Sequence, residues 1–191
     1  VLLQVLKAAH AHGRVAHLSA KREEVFGTAN LAGNDVVIGD DMPHKLSGVI
    51  PQEMLQTMTS GKGIEVCRKG QEAQNIKWEV PIVMASNHMP DYVSTGGNAS
   101  RRIVPFCFER IVTDPDTSLE SRIVAEELPN VVARFLTEYH RMRDAVGSGL
   151  FWRSAPQRVR QWSRSVASAT NELHRFLDMD GDERGCSIKT V

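Results

Sequence analysis

The run Asp35-Val36-Val37-Ile38-Gly39-Asp40-Asp41 constrains the fold more than any other stretch of the chain. Three β-branched residues stand in a row with no polar alternation. Two acids end the run, and Pro43 forbids its simple continuation. A short continuous apolar run of this kind suits a strand buried on both faces, as in a parallel sheet covered by helices.

The segments around it fit the same class. Val15 to Leu18 reads as a short strand. Pro81 to Asn87 reads as a second buried strand with a polar end, and Ile103 to Phe108 as a third, where Pro105 marks an edge position or a bulge. Ile64 to Lys69 and Ile76 to Val80 both alternate apolar with polar residues. The polar stretch between them makes the pair a β-hairpin with a protruding tip. Val1 to Ala9, apolar on nearly every face, reads as a buried helix stopped before Gly13. A brief helix is expected over Ser19 to Val25, and another over Pro51 to Met58, with Pro51 in its first turn and Gly61-Lys62-Gly63 after it.

The pattern changes after Thr113. Asp114 to Asp116 is a turn, and Ser118 to Leu128 an acidic helix. The next helix carries an apolar stripe of Val131, Val132, Phe135, Leu136, Tyr139 and Met142. Gly147 to Gly149 reads as a linker. From Ala145 to Asn171 there are four arginines (Arg153, Arg158, Arg160 and Arg164) and no acid. The expected organisation is therefore an α/β part over 1–112, a helical segment over 113–178 and a flexible tail over 179–191.

Composition narrows the function. Lysine plus arginine number 23 and aspartate plus glutamate 23, so the net charge is zero and nucleic acid is not held by bulk charge; any such contact needs a local basic feature. Three cysteines, far apart and odd in number, exclude a disulfide scaffold and a four-thiolate zinc site from this chain alone, and they suit a reducing, intracellular setting. No apolar run approaches the ~18 residues that cross a bilayer. The chain opens on Val1, directly in an apolar helix, which reads as a piece of a longer protein.

Ligands in open α/β sheets bind at the carboxyl ends of the strands. Two of the expected strands end in suitable groups, Asp40-Asp41 and Asn87. Paired acids at such a place can orient a magnesium ion and polarise an attacking water, and a neutral amide beside them can hold that water or a terminal phosphate. Arg101-Arg102 follow the flexible stretch Ser94 to Asn98 and can stabilise phosphoryl charge as an arginine finger. Each feature has a plain alternative: acids after a strand are common turn and cap residues, Asn87 before His88-Met89-Pro90 is a turn former, and adjacent arginines are often solvated.

In this order the segments resemble superfamily 3 helicases. Asp35 to Asp41 looks like a Walker B strand. Ile64 to Gly70 followed by Ile76 to Asn87 looks like the hairpin that precedes sensor 1, with Ser86-Asn87 as the sensor. Ser100 to Phe106 resembles the arginine-finger segment. Phe26 to Leu31, Leu55 to Gly61 and Trp78-Glu79-Val80-Pro81 are most similar to the poxvirus-type primase-helicases of large nucleocytoplasmic DNA viruses, and the likeness runs from about Leu2 to Leu177.

That resemblance implies an AAA+ P-loop NTPase core lacking its first strand and phosphate loop, with a β-hairpin insertion and a helical C-terminal segment. It implies an ATP- and Mg2+-dependent DNA helicase of viral DNA replication, translocating on single-stranded or forked DNA as a homo-oligomeric ring of hexameric type. A primase domain on the same chain would accompany it, at the viral replication site in the host cell. Asp40 would coordinate magnesium through water, Asp41 would act as base or polarise the lytic water, and Asn87 would be sensor 1. Arg102, with Arg101 a near second, would reach the neighbouring subunit's ATP. Lys69 would grip DNA from the hairpin tip, flanked by Arg68.

The sequence also departs from the family. Asp41 stands where close relatives often carry Glu, so the division of labour between the two acids stays open. Gly70 stands where some relatives carry His. No Gly-x-x-x-x-Gly-Lys-Ser/Thr occurs; Ser60-Gly61-Lys62-Gly63 lacks the spacing and the hydroxyl. The loop would lie just before Val1, so the chain by itself is expected to bind nucleotide poorly. Two other readings remain: an AAA+ ATPase that does not unwind DNA, and an inert nucleic-acid-binding or oligomerisation module.

The remaining features have structural readings. His10, His12 and His17 straddle a helix and a strand and do not converge as metal ligands. His88 reads as a turn or packing residue, and Trp78 as packing at the hairpin base or a base-stacking surface. Trp152 and Trp162 read as anchors of the last helices. The four arginines read as a solvated face, a subunit contact or a second DNA-binding patch.

Overall fold

The computed structural model describes residues 1–10, 13–19, 27–67, 70–92, 100–147 and 151–170. Helix α1 (Leu2–Ala9) leads to strand β1 (Val15–His17), helix α2 (Gly27–Leu31) and strand β2 (Val36–Gly39). A 3-10 turn (Leu46–Gly48) and helix α3 (Gln52–Thr59) follow, then strands β3 (Gly63–Val66), β4 (Gln74–Lys77) and β5 (Ile82–Met84). A second 3-10 turn (Ser100–Arg102) precedes the helices α4 (Leu119–Arg122), α5 (Leu128–Val146), α6 (Phe151–Ser154) and α7 (Gln157–Thr170), with a π-helical segment (Ile123–Glu127) joining α4 to α5. The fold is mixed α/β, as expected, and the described residues after Asp114 are helices and their connections.

Among the described residues, β1, β2 and β5 form one parallel sheet in the order β1-β2-β5, and β3 and β4 form a separate antiparallel hairpin. Val15, Ala16 and His17 lie opposite Val36, Val37 and Ile38; Val37, Ile38 and Gly39 lie opposite Ile82, Val83 and Met84. A parallel pair needs a crossover to reverse the chain twice. Here α2 lies in the first crossover, and α3 with the hairpin in the second.

The central strand behaves as its composition demands. All four residues of β2 are buried, and Val37 and Ile38 have no accessible surface. The core gathers around this strand: Ala16 and Leu18 from β1 and its end, Leu31 from α2, Leu55 and Met58 from α3, Ile64 and Val66 from β3, with Ile50, Trp78 and Tyr92. Trp78 sits at the hairpin base and donates its indole N–H to the Val80 carbonyl at 2.7 Å, so the polar atom of a buried ring is satisfied. This is the packing role, and not an exposed stacking surface.

Several expectations are corrected. Helix α1 forms, but Val5 is its one buried residue and Leu2 is nearly half exposed, so it is a surface helix and not a buried one. Strand β5 is shorter than Pro81 to Asn87 and half-buried, because it is the last strand of the described sheet and has a neighbour on one side. Ile103 to Phe108 is not a strand. The stretch from Ile103 to Val112 has no regular structure, and Phe108 and Ile111 are 83% and 86% exposed. Its β-branched and aromatic composition is strand-like, but no strand among the described residues pairs with it, and extended chain without a ladder is not sheet. The acidic helix and the striped helix are one nearly continuous run, joined through the π-helical segment. The expected striped helix forms as α5, and Phe135, Leu136, Tyr139 and Met142 of its stripe are all about half exposed. The expected helix over Ser19 to Val25 falls largely, and the tail over 179–191 wholly, outside the described residues.

Truncating the middle of β2 is the direct test of this core. Ile38→Ala should lower the unfolding free energy by about 2–5 kcal/mol, the usual cost of a buried aliphatic truncation. Urea denaturation followed by circular dichroism measures it, and a cost below about 1 kcal/mol would mean that β2 is not the central strand.

Candidate active site at the strand ends

Because β2 and β5 are parallel neighbours in register, their carboxyl ends lie at the same edge of the sheet. Asp40-Asp41 leave β2 there, and Ser86-Asn87 leave the extension of β5. The backbone ladder continues past the regular strands. The Ala85 amide donates to the Gly39 carbonyl at 2.9 Å, and the Met42 amide donates to the Ala85 carbonyl at 2.8 Å. The Ser86 hydroxyl then donates to the Met42 carbonyl at 2.9 Å and accepts from the His88 amide at 3.0 Å. The two post-strand loops are thus stitched together around the acid pair.

A second row of contacts holds the same loops further out. The Ser47 amide and hydroxyl both donate to the Asp91 carboxylate, at 2.8 and 2.5 Å. The His44 and His88 rings meet edge to face with centroids 5.3 Å apart. Tyr92 is fully buried and donates its hydroxyl to the Ile50 carbonyl at 2.8 Å. Burial pushes the Tyr92 phenol well above its ordinary value, aided by the nearby Asp91 charge, so it is a permanent donor. Burial acts to raise the Asp91 pKa, but the hydrogen bonds from Ser47 and from its own backbone amide, with the nearby His44, together outweigh it and hold the carboxyl below the usual carboxylate value.

The acids themselves are differently held. Asp40 is exposed, and one of its oxygens accepts from the Lys7 ammonium of α1 at 2.7 Å. His17, at the end of β1, brings its Nδ1 to 3.8 Å of the same oxygen. Asp41 has a φ of +48°, the left-handed region that costs a residue with a Cβ about 1–2 kcal/mol. Strain of this kind persists where neighbouring contacts over-determine the backbone, and here Gly39 and Met42 on either side of the acids are both fixed to Ala85. Gly39 leaves room for the Met42 side chain: a Cβ there would lie 2.9 Å from the Met42 sulfur.

Asp40, Asp41 and Asn87 are therefore brought to one edge by adjacent strands, and all three are exposed. Arg101 and Arg102 lie in the 3-10 turn, Arg101 exposed and Arg102 half-buried. That turn packs against α7, while the Trp152 indole donates to the Arg101 carbonyl at 3.3 Å. Farther along, Glu109 accepts from Arg158 at 2.9 Å and from Trp162 at 3.2 Å, and the Arg158 guanidinium lies over the Trp162 ring. These hydrogen bonds hold the Glu109 carboxyl below its ordinary value. Trp152 and Trp162 thus anchor the last helices to the arginine segment. Arg68 and Lys69 lie outside the described residues.

His10 and His17 do not converge on one another, and His12 lies outside the described residues. His10 faces Asp35, at 3.7 Å, and His17 faces Asp40. The Arg14 guanidinium also binds Asp35 and holds its carboxyl below the usual range. Among the described residues, no three histidine, cysteine or acidic side chains cluster to enclose a metal ion. One or two carboxylates nevertheless suffice for magnesium where substrate phosphates and water supply the other oxygens. The chemistry of Asp40, already drawing an ammonium and an imidazole to one oxygen, fits that demand.

The profile of a protein family described as of unknown function, DUF5906, matches residues 1–102. The chain belongs to DUF5906. The match spans just over half of the chain. It covers the sheet, the hairpin and the strand-end residues of this DUF5906 chain, and it ends at Arg102, before the helical segment. No curated protein matches the chain.

Sequence reasoning missed Lys7, Ser47, Asp91 and Tyr92. Lys7 left one signal, as the lone charge in the otherwise apolar stretch Val1 to Ala9. Ser47 and Asp91 are 44 residues apart and belong to no motif, so their pairing exists only once β2 and β5 are neighbours. Because the folded Asp91 pKa is depressed, its contribution to stability is present above the ordinary carboxylate value and is lost as the pH falls through the lower, folded value. Ser47→Ala should therefore cost about 1 kcal/mol at neutral pH. The gap should begin to narrow as the pH falls below the ordinary carboxylate pKa and close below the lower, folded value, as seen in denaturation midpoints measured across the pH range.

Proposed function

We propose that this chain forms part of an ATP-driven DNA motor of the AAA+ type, resembling the superfamily 3 helicase part of poxvirus-type primase-helicases. The observation that carries the reading is the pairing of β2 with β5, which brings Asp40-Asp41 and Asn87 to one sheet edge on neighbouring parallel strands. Nucleotides bind at that edge in open α/β sheets. The AAA+ assignment rests further on the order of the segments: acid-ended strand, α3, hairpin, amide-ended strand, arginine turn.

In this reading ATP is cut at an interface between two subunits. Magnesium, held by Asp40 through water, would supply charge neutralisation at the phosphates. Asp41 accepts a proton from, or orients, the attacking water. Asn87 hydrogen-bonds that water or the terminal phosphate. Arg102, with Arg101 beside it, places positive charge on the phosphoryl group bound by the neighbouring subunit. The carbonyl contact of Trp152 and the packing of α7 hold the arginine turn at a set height, so the helical segment would transmit motion between neighbours. Lys69 in the hairpin would hold a DNA phosphate, repeated around a ring, which accords with a chain of zero net charge. The reading requires a phosphate loop supplied by sequence preceding Val1 in the parent protein.

Mixing experiments test it in that parent protein. Arg102→Ala should abolish ATP hydrolysis while nucleotide still binds. Adding subunits that carry Asp40→Ala and Asp41→Ala should restore part of the hydrolysis at hybrid interfaces, and no restoration at any ratio would refute the assignment across subunits. Lys69→Ala should stop unwinding of a forked duplex while ATP hydrolysis persists. Unwinding that is indifferent to Lys69 would exclude the hairpin from DNA contact. An absence of hydrolysis in the unsubstituted parent would favour the inert nucleic-acid-binding or oligomerisation module.

A further inference from the structure

Helix α7 is two-faced, and its outer face carries one sign of charge. Val159 and Val166 are buried and Trp162 is half-buried with its indole on Glu109, so these three positions set the apolar face of the helix against the protein. Gln157, Arg160, Gln161 and Arg164 are all exposed, and at 3.6 residues per turn they form the opposite face. Arg160 and Arg164 are neighbours there, with Cβ atoms about 5–6 Å apart. The sequence from Ala145 to Asn171 holds no acid. Of its four arginines, Arg158 finds a carboxylate, and that one, Glu109, comes from outside the helix. Among the described residues Arg153, Arg160 and Arg164 take part in no ion pair.

A helix face that only meets water does not call for this composition. Helix α5 shows the ordinary case: it mixes signs, with Arg141 near Glu138 and Arg143 beside Asp144. Like charges four residues apart weaken a helix, so Arg160 and Arg164 act against the element that carries them. A bound polyanion turns that repulsion into attraction. The residue types narrow which polyanion. Guanidinium forks match phosphate oxygens two bonds at a time. The interleaved glutamines add amide donors of the kind that bind phosphate and sugar oxygens. A helix lying in an anionic membrane surface would need its apolar face free as well, and in α7 that face is already taken by the protein.

We propose that the outer face of α7 is a binding site for the sugar–phosphate backbone of a nucleic acid strand, separate from the hairpin. It supplies the local basic feature that a chain of zero net charge needs for such a ligand. It shares its ligand class with the motor reading, but it uses no residue of the strand-end edge and requires no ATP hydrolysis. The inner face of the same helix packs on the 3-10 turn that carries Arg101 and Arg102, so a strand held on α7 lies one helix away from that turn.

The test uses the full 191-residue chain and a fluorescein-labelled oligothymidylate of about 20 nucleotides, long enough to cover the ~21 Å of α7, with binding read by fluorescence anisotropy over a range of salt. The double variant Arg160→Gln, Arg164→Gln should bind about tenfold more weakly, and the slope of log K against log salt should fall by about 1.4, the counterions of two single-strand phosphates. Arg160→Lys with Arg164→Lys should keep that slope, because the charges stay. Arg134→Gln with Arg141→Gln, on the mixed-sign α5, should change neither quantity. Glutamine is close to arginine as a helix former, and Arg164→Gln alone, with about half the change in slope, serves if the double variant folds poorly. In a Lys69→Ala background the α7 effect should persist. The proposal is overturned if the glutamine variants bind the oligonucleotide with unchanged affinity and slope, or if the unsubstituted chain binds none. It is equally overturned if the two arginines govern binding to equimolar phosphatidylserine–phosphatidylcholine vesicles, or self-association in sedimentation, while oligonucleotide binding stays as it was. Binding that depends on α7 in a parent protein that hydrolyses no ATP would sink the motor reading and leave this one standing. Binding that depends on Lys69 and not on Arg160 and Arg164 would do the reverse.

Discussion

The structure depends on one backbone ladder, the parallel pairing of β2 with β5 and its continuation through Gly39, Ala85 and Met42. Every other feature of the strand-end edge follows from it. The ladder puts two loops that are more than forty residues apart in sequence side by side. It lets Ser86 close over Met42 and brings Ser47 to Asp91 and Tyr92 to Ile50. On the fully buried β2 side of this ladder a peptide group has no water to turn to, so leaving its hydrogen bond unmade would cost more than the bond itself contributes. The acids at the end of β2 are therefore presented by a strand whose own backbone bonds are buried and paired.

Rigidity behind the acids and exposure in front of them are complementary properties. β2 has no accessible surface at Val37 and Ile38, yet the two residues after Gly39 are open to solvent. The unusual backbone at Asp41 sits at this boundary, held by neighbours on both sides that are fixed to Ala85. A group that must meet a ligand needs both: an immobile base and an accessible tip.

Physical pattern in the sequence carried the centre of the fold and little of its periphery. Val36-Val37-Ile38 specifies a strand covered on both faces because no polar residue interrupts it, and the alternation around Ile64 and Ile76 specifies the hairpin. The residue types at the strand ends also stood out, since Asp40, Asp41 and Asn87 each stop an apolar run. The errors share one cause. Val1 to Ala9 and Ile103 to Phe108 are apolar stretches whose composition suggests burial; burial needs a partner surface, which a single chain's composition does not specify. The contacts among Ser47, Asp91, Tyr92 and Lys7 were hidden for a different reason: they join residues of ordinary polarity whose proximity is a product of topology.

The bare stretch from Val104 to Val112 has a thermodynamic consequence. Phenyl rings and branched chains left in water hold a hydration shell with a large heat capacity, and that shell makes their removal from water more favourable on warming and in strongly excluded salts such as sulfate. Whatever surface eventually meets Phe106, Phe108 and Ile111, the meeting should therefore carry a negative heat-capacity change, weaken in the cold and strengthen with added sulfate.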